Sequence, residues 1–189
     1  MKKIDVLIMP SGGYSSLNSE PKKAMITRWL RQGGRIIAIE RALSVFEDQK
    51  AFGVKRKENK ITPDPTLRYE DRKRNNISNV ITGGIYNTRL DNSHPIGLGY
   101  STNYHTLKRS ALAYSLLEKG SNVSYIPKGA SAVAGFVGKN VADVQEESLI
   151  IGTETIGKGS VTYFVDNPIF RAFWENGKLL LFNATFLNQ

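Results

Sequence analysis

The run Gly33-Gly34-Arg35-Ile36-Ile37-Ala38-Ile39-Glu40-Arg41-Ala42-Leu43 constrains the fold of this chain more than any other stretch. Paired glycines end a helix, because glycine takes left-handed backbone conformations at no steric cost. A short β-branched apolar run then reads as a buried strand, and an amphipathic run, expected to be helical from about Arg41 to Asp48, resumes at once. Upstream, Ile4-Asp5-Val6-Leu7-Ile8-Met9 reads as a first strand, central and buried because its apolar positions are nearly continuous. Ser19-Glu20-Pro21 supplies a hydroxyl cap and a first-turn proline. The helix that follows carries Ala24, Met25, Trp29 and Leu30 on one face, so Trp29 reads as core. A right-handed crossover makes the two strands parallel. In open α/β sheets function sits at the carboxyl ends of the strands, and Glu40 occupies that position.

At 189 residues the chain is long enough for one domain, 1–189, with a layered core. No apolar run approaches the length of a membrane span. Met1-Lys2-Lys3 leads into Asp5 and then Pro10-Ser11-Gly12-Gly13, so no signal peptide is expected within this chain. Cysteine is absent, which excludes a thiolate nucleophile. The net charge is +9, and much of the excess lies in Lys50 to Arg74. Glu58, Asp64, Glu70 and Asp71 interrupt that segment and few aromatics accompany it, so residues 49–71 read as a solvated basic loop and nucleic acid is not an expected partner. The alternative is a binding module for an anionic polymer, acting through Lys55 to Lys60 and Arg68 to Arg74 and weakened by salt.

Beyond the loop, Tyr69 to Val80 reads as a short helix and Ile85 to Leu90 as a strand. Tyr104 to Lys108, Ala111 to Leu117, Val123 to Ile126, Ala132 to Val137 and Leu149 to Thr153 lean towards β-structure. Gly157-Lys158-Gly159 is a tight turn into the strand Ser160 to Val165. Asn167 is placed to cap the segment after it, and Gly177 to Phe186 reads as a closing helix with Leu180, Leu181, Ala184 and Leu187 on its apolar side.

Ala38-Ile39-Glu40-Arg41-Ala42 resembles the nucleophile elbow of class I glutamine amidotransferases, Gly-Ile-Cys-Arg-Gly, with Glu40 in the place of the cysteine. The resemblance implies a flavodoxin-like, three-layer α/β sandwich with a mostly parallel central sheet and extra β segments in the second half. It also implies that the glycine loop holding Gly12 and Gly13 once supplied an oxyanion hole, so that Gly12, Gly13, Glu40 and Arg41 would line a relict pocket. Those enzymes carry a catalytic His-Pro-Glu; here the run is His94-Pro95-Ile96, and His94 reads as a structural turn residue. Asp91-Asn92-Ser93-His94-Pro95, Gly135-Phe136-Val137-Gly138, Gly157-Lys158-Gly159 and Asp166 through Trp174 to Asn183-Ala184 together resemble the carboxy-terminal amidotransferase-like domain of large secreted bacterial zinc carboxypeptidases of the carboxypeptidase A type. That implies a parent chain with its own peptidase domain as partner, zinc bound there, and a secreted or periplasmic setting.

The residues of this chain hold no peptidase centre of their own. Carboxypeptidase zinc needs a His-x-x-Glu pair and a further histidine. His94 and His105 are followed three residues on by Gly97 and Lys108, so no metal or other cofactor is expected in this domain. A carboxylate does not replace a thiolate in acyl transfer. The expected function is therefore that of a non-catalytic accessory domain of a zinc metallocarboxypeptidase, with no catalytic residue. A divergent hydrolase using Glu40 as general acid or base is the enzymatic alternative.

Overall fold

The computed structural model describes residues 4–47, 49–59 and 64–188. Met1-Lys2-Lys3, Asp48, and Lys60 to Pro63 of the basic loop lie outside them. In chain order the elements are β1 (Val6–Met9), α1 (Glu20–Arg31), β2 (Arg35–Ile39), α2 (Tyr69–Ser78), β3 (Ile81–Leu90), β4 (Asn103–Lys108), β5 (Ser121–Ile126), β6 (Ala134–Val137), α3 (Lys139–Ala142), β7 (Ser148–Ile156), β8 (Gly159–Phe164) and α4 (Lys178–Phe186). Short 3₁₀ turns link several of them, the longest being Glu40–Val45 directly after β2, where the sequence predicts a helix.

One eight-stranded sheet runs in the order β1-β2-β8-β7-β5-β3-β4, with β6 also paired to β3. Only β1 with β2 and β2 with β8 pair in parallel. The pairings of β8 with β7, β7 with β5, and β3 with β5, β4 and β6 are antiparallel. The mostly parallel, flavodoxin-like sheet expected from the sequence is thus corrected to a mixed sheet with a parallel seam at one end. The physical reason lies in the connections. Parallel neighbours need a crossover, which α1 provides between β1 and β2. Ile156 and Gly159 face each other across a two-residue turn, with Gly157 at φ +68°, and so short a link permits only an antiparallel pair.

The first strand departs from expectation in a second way. It lies at the edge of the sheet, and Ile8 is 41% exposed, so its apolar run does not mark a central strand. Its neighbour β2, second in the order, is the buried strand. Ile36 and Ala38 join Leu30, Leu43, Phe46, Val161 and Tyr163 in one apolar cluster. Ile37 and Ile39, one residue out of phase, join Ile96, Ile126, Phe164, Leu180 and Ala184 in another. Alternation along a strand sends successive side chains to opposite faces, so β2 is covered on both.

The turn from α1 into β2 has the form the glycines predict. Gly33 adopts φ +111°, and the Gly33 and Gly34 N–H groups donate to the Leu30 and Trp29 carbonyls at 2.9 and 3.1 Å. A Cβ on Gly34 would lie 2.3 Å from the Trp29 ring, so the close packing of that core indole requires glycine.

On the far side α4 is apolar around most of its circumference. Leu180 and Ala184 face the sheet, and Asn183 donates to the Ile96 and Leu98 carbonyls at 3.0 and 2.8 Å, tying the helix to the 3₁₀ turn Pro95–Gly97. Leu187, expected on the apolar side, is 44% exposed, and Leu179, Phe182 and Phe186 point outward. Among the described residues no helix is long and apolar enough to cross a membrane.

The two sides of α4 predict opposite responses to the same substitution. Leu180→Ala should cost about 2–5 kcal/mol in urea unfolding, because the side chain is fully buried. Leu179→Ala should stay within about 0.5 kcal/mol of the parent.

Candidate functional site at the end of strand β2

Glu40 closes β2 in the left-handed region, at φ +49°, while Ile39 before it is extended. A non-glycine residue there carries strain of about 1–3 kcal/mol, and such strain collects at sites where a side chain must be presented. The surrounding structure enforces it: Ile39 pairs with Phe164 of β8, and Ala42 and Leu43 immediately after are completely buried. A strand, a left-handed residue and a helical turn together form the elbow that the sequence suggests, with a half-buried carboxylate at its apex.

Glu40 and Arg41 line a cleft of about 500 Å³ together with Ser11, Glu47, Arg56, Arg109, Ser110 and Tyr114. The other two residues of the expected pocket are elsewhere. The Tyr14 hydroxyl donates to the Pro10 carbonyl at 2.8 Å and folds the loop so that Ser11, not Gly12 or Gly13, reaches the cleft. Neither of those glycines adopts positive φ, and Gly13 is exposed.

Close to Glu40 lies an ion pair that the sequence reading missed. Lys108 and Asp166 meet at 3.3 Å with side chains 0% and 6% exposed. Lys108 Nζ also donates to the Leu112 carbonyl at 3.0 Å, and the Thr106 hydroxyl donates to Asp166 at 2.9 Å. Burial pushes the Asp166 carboxyl above its ordinary range. The Lys108 charge opposes that shift most strongly, and the Glu40 carboxylate adds to it slightly. The sequence does hold a signal: Tyr104, Thr106 and Lys108 alternate as the buried residues of β4, which puts the lysine on the inward face. A buried lysine demands a buried partner.

Glu47 accepts from the Tyr114 hydroxyl, and burial followed by this bond pushes the Tyr114 phenol well up. The Arg56 backbone is fixed beside Tyr114 by an isolated antiparallel bridge. The Arg109 guanidinium stacks on the Phe170 ring, 4.1 Å from its centroid.

His94 is placed as a turn residue. Its Nδ1 accepts from the Ile96 N–H at 3.2 Å and caps the turn Pro95–Gly97, and burial lowers its pKa. Asn167 accepts from the Ile169 N–H at 3.0 Å and so turns the chain, but Ile169, not Asn167, is the N-cap of the 3₁₀ turn Phe170–Ala172. Among the described residues no group of three or more His, Cys, Asp or Glu is gathered closely enough to hold a metal ion.

No protein-family model and no curated protein matches the chain. Among solved structures it is similar to the cytoplasmic protein STM3548 from Salmonella typhimurium, at 12% identity and a TM-score of 0.53, with 97% of this chain and 72% of that one covered. It is also similar to the β-galactosidase from Bacillus circulans sp. alkalophilus, at 10% identity and a TM-score of 0.52, and to the mmIFT52 N-terminal domain, at 11% identity and a TM-score of 0.50. Each likeness covers 99% of this chain, with 22% of the β-galactosidase and 78% of the IFT52 domain covered in return. Identities this low show fold alone. The descriptors flavodoxin-like and zinc carboxypeptidase, drawn for this domain from the sequence resemblance, are corrected: the similar structures are a cytoplasmic protein, the mmIFT52 N-terminal domain and a β-galactosidase, and the sheet is mixed.

The Lys108–Asp166 pair makes a pH-dependent prediction. A carboxyl whose folded pKa is raised contributes stability below its ordinary value and loses it as pH rises through the raised value. Lys108→Met removes the largest influence opposing that rise. The variant should therefore lose about 3–5 kcal/mol near neutral pH, and the loss should shrink as pH falls towards the ordinary carboxylate range. Urea unfolding at several pH values checks it; a loss independent of pH would show that Asp166 is not the group left uncompensated.

Proposed function

We propose that this chain is a non-catalytic accessory domain of a larger enzyme, keeping the elbow of an amidotransferase-like ancestor without its chemistry. The observation that carries this reading is Glu40 itself, a carboxylate at φ +49° on the elbow where the resembled family presents a cysteine. The groups around it support the same view. Lys108 and Thr106 both bond Asp166, and His94 is engaged in capping a turn. Acid–base catalysis by Glu40 would need a second group free to exchange protons with a bound substrate.

That a fold of this kind occupies about a fifth of the length of a β-galactosidase chain is compatible with service inside a larger enzyme. The sequence resemblance nominates a secreted zinc metallocarboxypeptidase as the parent, with its peptidase domain as the partner and zinc confined to that domain. The accessory role is then to stabilise or position the peptidase.

The test uses the full-length parent. Deleting this domain should lower the thermal midpoint of the peptidase or change its release of C-terminal residues, whereas Glu40→Gln in the intact chain should leave the hydrolytic rate constant unchanged within about twofold. A tenfold or greater loss of rate with Glu40→Gln would overturn the non-catalytic reading.

A further inference from the structure

The cleft beside Glu40 has a chemistry that the amidotransferase resemblance does not call for. Arg41, Arg56 and Arg109 come from three separate stretches of chain and line the same cleft. Among the described residues none of the three makes an ion pair or donates a side-chain hydrogen bond; the ion pairs present join other residues. Two carboxylates share the space, Glu40 and Glu47, and Glu47 already accepts from Tyr114. Three guanidiniums against two carboxylates leave an excess of positive charge.

The backbone places two of the arginines, and a ring holds the third. Arg41 follows the strained residue at the end of β2, the Arg56 backbone is bridged to Tyr114, and the Arg109 guanidinium sits over the Phe170 ring. Stacking on a ring fixes the guanidinium plane while leaving its N–H donors free at the edge. Donors held in this way lose little entropy on meeting an oxyanion. A second cleft of about 780 Å³ shares Glu47, Arg56, Ser110 and Leu112 with the first and adds Lys57 and Glu58, whose charges offset one another, so the excess of positive charge is confined to the first cleft.

We propose that this cleft is a binding site for a small oxyanion ligand, a compound bearing carboxylate or phosphate groups, clamped by Arg41, Arg56 and Arg109. The ligand's charged groups replace the missing acidic partners of the arginines, and Ser11 and Ser110 supply hydroxyl donors at the rim. Nothing in this site depends on whether the domain serves a larger enzyme, so it stands or falls separately from the accessory role.

Calorimetric titration of the protein at low salt with pyrophosphate and, separately, with propane-1,2,3-tricarboxylate tests it. At least one should bind with one-to-one stoichiometry and weaken as salt is raised from about 50 to about 500 mM. Binding of pyrophosphate alone assigns the source as a phosphorylated compound, and binding of the tricarboxylate alone assigns a carboxylic acid. Arg56→Gln and Arg109→Gln should each weaken binding about tenfold or more, whereas Lys128→Gln, which removes an equal charge from an exposed position outside the cleft, should not. These are surface substitutions, and an unchanged thermal midpoint verifies folding. Absence of binding by both probes up to about 10 mM, or equal weakening by Lys128→Gln and the arginine variants, would overturn the proposal.

Discussion

Burial of β2 on both faces is the constraint on which the rest of the molecule depends. Ile36 and Ala38 pack beneath α1 and the turn Glu40–Val45, while Ile37 and Ile39 pack beneath α4 and the turn Pro95–Gly97. A strand covered in this way cannot slip by one residue, because the slip would exchange the two sets of side chains between two differently shaped cores. The register with β8, Arg35 to Ile39 against Ser160 to Phe164, is fixed accordingly. Glu40 must then leave the sheet at a set point, and the burial of Ala42 and Leu43 leaves the chain only Glu40 and Arg41 in which to turn. The left-handed conformation follows from those two demands.

Charge is organised around the same point. Asp166 follows β8 and Lys108 ends β4, so their pairing connects the end of the parallel seam to a strand at the opposite edge of the sheet. Removal of both charges from water is costly, and such a pair is held by complete hydrogen bonding more than by its Coulomb attraction. Thr106 and the Leu112 carbonyl provide the remaining bonds. The exposed arginines are arranged differently. Arg41, Arg56 and Arg109 line the cleft, placed by backbone geometry and by the Phe170 ring, and none of them joins an ion pair among the described residues.

Local features were legible in the sequence where one short stretch decides them. Gly33-Gly34 ending α1, the β2 run, the elbow at Glu40 and the two-residue turn at Gly157-Lys158 each depend on neighbours in the chain. What was not legible depends on pairing at a distance. The edge position of β1 follows from β8 joining the other side of β2, and no local pattern encodes that insertion. The Gly157 turn encodes the antiparallel pairing of β7 with β8, whereas the antiparallel pairings of β5, β3, β4 and β6 depend on strands brought together from a distance. Arg56 read as one member of a solvated charge run, and only the bridge to Tyr114 turns it towards the cleft. Gly12 and Gly13 looked like an oxyanion loop until the Tyr14 bond to Pro10 placed Ser11 there instead.

The strain at Glu40 is the most direct point at which to test this account, by comparing the urea stabilities of Glu40→Gly and Glu40→Ala. At an ordinary helical or extended position glycine is the less stable of the two by about 0.5–1 kcal/mol. At φ +49° the order should reverse, with glycine more stable than alanine by about 1 kcal/mol, because only the Cβ-bearing residue suffers in the left-handed region. An alanine variant equal to or more stable than the glycine variant would contradict an enforced elbow and remove the physical basis for reading Glu40 as standing in the place of a lost nucleophile.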